Sequence, residues 1–82
     1  MPKWLKCKIS KGMFSDELTA IVTSRTGDVI SVFVPRDATQ VTTAGYGQIR
    51  VRVAEQSGRV MALLPDEYQS IVDVDSSQLV PA

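Results

Sequence analysis

Two stretches of the chain alternate apolar and polar residues with a period of two, the mark of a strand with one face buried and the other in water. In Gln48-Ile49-Arg50-Val51-Arg52-Val53, the residues Ile49, Val51 and Val53 fall on one face and Gln48, Arg50 and Arg52 on the other. Leu5, Cys7 and Ile9 alternate in the same way with Lys6, Lys8 and Ser10, so the chain enters directly as a strand after Pro2, and Lys6 and Lys8 should face solvent. A strand over residues 17–24 turns through Arg25-Thr26-Gly27-Asp28 into another over residues 29–34, with Gly27 supplying the residue tolerant of positive φ that a tight hairpin needs. Pro35 ends that strand because it cannot donate to the ladder. Residues 42–47, with Gly45 and Gly47 flanking Tyr46, read as a loop. Ser57-Gly58 turns the Gln48 strand into one over residues 59–64, which Pro65-Asp66-Glu67 breaks.

The last segment admits two readings. Pro65 is able to begin a short helix with Tyr68, Ile71 and Val72 inward, but Ile71-Val72-Asp73-Val74 reads better as a short strand. Asp75-Ser76-Ser77-Gln78 then places an acceptor three residues before Gln, a capping-box pattern that holds one helical or 3-10 turn, and Leu79 and Val80 close the chain as a short strand.

These elements predict an all-β fold, a single small antiparallel barrel domain over residues 1–82, with five to six strands and one helical or 3-10 turn near the C-terminus. The order resembles the small SH3-like barrels over most of the chain, at the level of architecture. It carries no SH3 ligand-site pattern, since the turn at 25–28 has few acids and the sole Trp, Trp4, stands at the start. An OB-type barrel is the rival, and neither architecture implies a function.

Composition supports this reading. Val, Ile and Thr supply 22 of the 82 residues against 11 for Leu and Ala, a bias toward pleated surfaces. Hydrophobic residues at 44% and charged residues at 22% sit near globular averages, which argues against disorder. No apolar run exceeds the five residues 60–64, far short of a membrane span, and no signal segment is visible. Cys7 stands alone, so no intrachain disulfide forms, and a cytoplasmic location is expected.

The chain has no histidine, which removes the usual general base, the usual partner of a Ser or Cys nucleophile and the commonest metal ligand. With a single cysteine as well, zinc sites built from cysteine, from cysteine and histidine or from histidine and carboxylate, and iron–sulfur ligation, are excluded within one chain. Cys7, alternating with Leu5 and Ile9, reads as a small buried hydrophobe and not a nucleophile. Asp73 and Asp75 lie two apart on one strand face, too few oxygens for a hard-cation site. Gly45-Tyr46-Gly47 lacks the spacing of a nucleotide loop and reads as flexible loop glycine. Catalysis would rest on carboxylates such as Asp66 and Glu67 gathering in a pocket. The expectation is a noncatalytic protein without cofactor or metal.

Charge refines the picture. The formal net charge is zero, yet Lys3, Lys6, Lys8 and Lys11 occupy the first fourteen residues with no acid, and Asp66, Glu67, Asp73 and Asp75 occupy residues 60–82 with no base. Terminal strands of small barrels lie close together, so mutual neutralisation is expected, the alternative being a dipolar surface that orients the module on a partner. Arg50 and Arg52, about 6.8 Å apart on one strand face, could join Lys6 and Lys8, with Trp4, Phe14 or Tyr46 as stacking surfaces, in a face for single-stranded nucleic acid. The competing reading is an ordinary solvated strand face, consistent with a sequence pI near 6.1. Met13 and Phe14 sit in a turn, either as a partner-binding tip or, as the need of a small core for aromatics favours, folded inward as a plug.

The functional expectation is therefore a noncatalytic binding or accessory module of a larger assembly, contacting a protein partner or a second copy through surface loops and open strand edges. A single-stranded nucleic-acid-binding module using Lys6, Lys8, Arg50 and Arg52 is the alternative.

Overall fold

The structure, a computed structural model, describes residues 2–81. Eight strands form one antiparallel sheet that curls into a half-barrel. They are β1 (Pro2–Lys11), β2 (Glu17–Thr23), β3 (Val29–Pro35), β4 (Thr39–Thr43), β5 (Tyr46–Gln56), β6 (Arg59–Leu63), β7 (Ile71–Val74) and β8 (Leu79–Pro81). A 3-10 turn at Arg36–Ala38 links β3 to β4, and a second at Ser76–Gln78 links β7 to β8.

The main path runs β3-β2-β1-β5-β6-β7, with β4 paired to β5 and β8 paired to β1. The two long strands organise everything else. β1 takes β5 along one edge, and its other edge serves β8 at Lys3 to Leu5 and β2 at Lys8 to Lys11. β5 likewise takes β1 on one edge and divides the other between β4 and β6. The strands expected over 5–9, 17–24, 29–34, 48–53, 59–64, 71–74 and 79–80 are all present; the unexpected one is β4, in a stretch assigned no strand, and it and the start of β5 take in part of residues 42–47 that read as loop.

Alternation dictates which side chains go inside. Leu5 and Ile9 of β1 and Ile49 and Val51 of β5 are buried, while Lys6, Lys8, Arg50 and Arg52 are exposed. The core is wholly aliphatic: Leu, Ile, Val and Ala fill it, and none of the five aromatic residues is buried. Met13 and Phe14 therefore do not plug the barrel. They are 71% and 64% exposed. The Glu17 carboxylate accepts the backbone N–H groups of both, at 3.2 and 3.3 Å, which fixes the turn with its side chains outward.

The turns follow local chemistry. Ser57 and Gly58 both take positive φ, 54° and 76°, the pairing required by a two-residue hairpin whose twist matches its strands. Gly47 is no loop glycine. It is buried within β5, and a Cβ there would meet the Gln40 carbonyl oxygen at 2.6 Å, so its bareness lets β4 pass close over β5. Asp75 accepts the Ser77 N–H while the Gln78 side chain accepts the Asp75 N–H, the capping box expected for the turn at Ser76–Gln78.

Candidate cationic face

The antiparallel register of β1 and β5 brings together residues that lie 38 to 46 positions apart in sequence. Trp4 stands opposite Arg50, Lys6 opposite Gln48 and Lys8 opposite Tyr46. Directly opposed residues in such a ladder share a face, with Cβ atoms about 5 Å apart. The outward positions of β1 and of the paired part of β5 therefore form one continuous strip: Trp4, Lys6 and Lys8 beside Arg50, Gln48 and Tyr46, with Arg52 beyond. No acid occupies any of these positions.

The strip is electrostatically open. Among the described residues, Lys6, Lys8, Arg50 and Arg52 form no ion pair and no side-chain hydrogen bond; the ion pairs present are those of Arg25 and Arg59 with Asp73. The Arg50 guanidinium lies over the Trp4 ring, 5.4 Å from its centroid, a cation–π contact that orients both groups on the surface. A depression of about 390 Å³ borders Lys6, Lys8 and Tyr46, and another of about 790 Å³ borders Arg50 and Arg52. From Lys8 to the far end of the ladder the strip runs six residues, roughly 20 Å at about 3.4 Å per residue.

Among the described residues, the lysines of β1 form no ion pair with the acids of residues 60–82. The terminal strands are indeed neighbours, β8 pairing with β1, but β8 itself carries no charge, and the four acids lie before it. Asp73, its side chain 12% exposed, accepts from Arg59 Nε at 2.9 Å and lies 3.5 Å from Arg25 Nε. Its carbonyl also accepts the Arg25 N–H at 2.7 Å. Asp66 is buried and accepts from Ser70 N–H and Oγ at 2.8 and 2.7 Å, and Asp75 caps its turn. Asp66, Asp73 and Asp75 hold the fold, and Lys6, Lys8 and Lys11 of β1 stay exposed.

Of the residues singled out from sequence, Lys6, Lys8, Tyr46, Arg50 and Arg52 converge on this face. Met13 and Phe14 lie elsewhere, beside a cleft with Phe33 and Pro65. Trp4 gained its place through register, and the sequence signal for it was its parity with Lys6 and Lys8. Phe33, Val29 and Tyr68, all exposed, were not anticipated, although the parity of Val29 and Phe33 in β3 could have shown them. Behind the strip, Cys7 is half-buried against the core, and burial pushes its thiol up to about 11, so it is protonated at neutral pH.

Comparison with protein-family models, with curated proteins and with solved structures finds no match to this chain.

Proposed function

We propose that the chain is a noncatalytic binding module whose working surface is the outer face of the β1–β5 ladder, and that this face takes single-stranded nucleic acid. The observation that carries the reading is the strip itself: four cations without partners among the described residues, spaced along two registered strands, with Trp4 and Tyr46 among them. Cations at this spacing follow a phosphate backbone, and exposed rings offer stacking surfaces to bases without demanding a sequence. A strip of roughly 20 Å suits the short end of known site sizes, about four nucleotides. That the acids most distant in sequence from β1 serve as caps and clasps supports a noncatalytic role. The two long shared strands support the SH3-like reading of the half-barrel, and a single protonated thiol fits a cytoplasmic setting.

Fluorescence anisotropy with a labelled mixed-sequence oligonucleotide across a salt series tests this. Four phosphate contacts predict a slope of log affinity against log salt close to about −3 for a single strand. Absence of binding at low salt, or binding indifferent to salt, overturns the proposal.

A companion role as accessory component of a larger assembly is supported by the joint exposure of Met13 and Phe14. Replacing both with Ser should remove a co-purifying protein partner while oligonucleotide binding stays intact; retention of the partner by that variant counts against this role.

A further inference from the structure

Sheet edges are where small β proteins meet other chains, and this molecule treats its edges unequally. β7 is four residues long and carries the clasped Asp73, β8 is three residues long and ends in Pro81, and β4 is a five-residue strand rich in Thr and Gln. Short length, charge and proline are the ordinary protections of an edge against pairing with another strand. β3 has none of them before its last residue. It runs seven residues, Val-Ile-Ser-Val-Phe-Val-Pro, without a charge or a bulge, and among the described residues it pairs with β2 alone.

Both faces of β3 are also incompletely covered. Its outward residues Val29 and Phe33 are 65% and 49% exposed. Its inward residues Ile30 and Val32 pack against the core but are only partly buried, while Val34 is fully buried. Beside its C-terminal half lies a cleft of about 410 Å³.

We propose that β3 is a homodimer interface, pairing antiparallel with β3 of a second copy about a two-fold axis at Val32. In that register Val29 faces Pro35, Ile30 faces Val34, Ser31 faces Phe33 and Val32 faces itself across the axis. Opposed residues keep to the same side, so the apolar inner layer and the outer layer both continue across the axis. In this register every opposed pair is uncharged and both side-chain layers continue from one copy to the other, so the occupant that matches β3 is β3 of a second copy. Two-fold closure gives a dimer and not a filament. The interface is separate from the cationic face and stands whether or not that face binds nucleic acid.

Sedimentation velocity of the full chain over a wide concentration range tests the proposal, with thermal melting to verify folding. The wild-type mass should fall from dimer to monomer on dilution. Ser31→Lys with Phe33→Lys sets cations against each other in both symmetric positions and should weaken the dimer at least about tenfold. Ser31→Lys with Phe33→Glu sets a cation against an anion at the same two positions and should keep the dimer, now weakened by salt. A wild-type monomer at every concentration overturns the proposal, and so does a dimer that survives the double lysine variant.

Discussion

Arg59 and Arg50 both project from strands of the same sheet, yet they end on different partners. Arg59 reaches across from β6 to the half-buried carboxylate of Asp73, where Arg25 arrives from the β2–β3 turn. Arg50 leans over Trp4 and meets no carboxylate. Register explains the difference. Asp73 stands opposite Met61, two residues from Arg59 on β6, whereas every outward position of the β1–β5 ladder is basic, aromatic or neutral. Cations in the first region close the half-barrel; cations in the second are held ready for something outside it. A net charge of zero conceals this, because the acids that balance the sum are placed where they cannot balance the strip.

The comparison breaks if the two regions respond alike to mutation. Arg50→Glu with Arg52→Glu leaves a strip whose charges cancel, so oligonucleotide affinity should fall at least about 100-fold and its salt dependence should vanish. Stability should change by no more than about 1 kcal/mol, the worth of an exposed cation–π contact. Anisotropy and urea unfolding on the same preparation read both, and a large stability loss with affinity preserved would invert the assignment.

Asp73→Ala is the converse test, with the next largest effect. It removes charge-assisted hydrogen bonds to Arg59 and the neighbouring charge of Arg25, worth together about 2 kcal/mol once the exposure of both arginines is discounted. Urea unfolding should show that loss while oligonucleotide affinity holds within about twofold, since the clasp and the strip share no side chain. A cost below about 0.5 kcal/mol, the range of ordinary surface substitutions, would mean that the clasp does not close the sheet.

The two regions also differ in how far sequence foretold them. The parity of Lys6, Lys8, Arg50 and Arg52 was legible, because alternation fixes facing strand by strand. Their union on one strip was offered only as an alternative, since pairing β1 with β5 is a long-range event that no local pattern encodes. β4 escaped notice because Thr39 to Thr43 offers one apolar residue, Val41, and its place depends on bare backbone at Gly47. The turn at Ser57-Gly58 and the capping box at Asp75 were legible because their chemistry lies within four residues. The outward setting of Met13 and Phe14 was not: the need for a core aromatic is a statement about volume, and aliphatic side chains met it.

Asp75 sharpens the comparison at its smallest scale, since it sits two residues beyond Asp73 yet is held mainly by Ser77 and only secondarily by the charge of Arg25. The Ser77 N–H that it accepts, followed by the Ser77 hydroxyl and then the Arg25 charge, holds its carboxyl below the ordinary 3.8. The sign follows from linkage: a carboxylate depressed in the folded state stabilises fully above its unfolded value, and that contribution disappears as pH falls through the folded one. Thermal melts should therefore lose a small increment below pH 3.8, the window set by that shift. Asp75→Asn keeps an acceptor for the cap but cannot titrate, so its melting temperature at neutral pH should stay near wild type while the acid-side loss shrinks. If Asp75→Asn leaves the acid-side loss unchanged, the cap is indifferent to its charge.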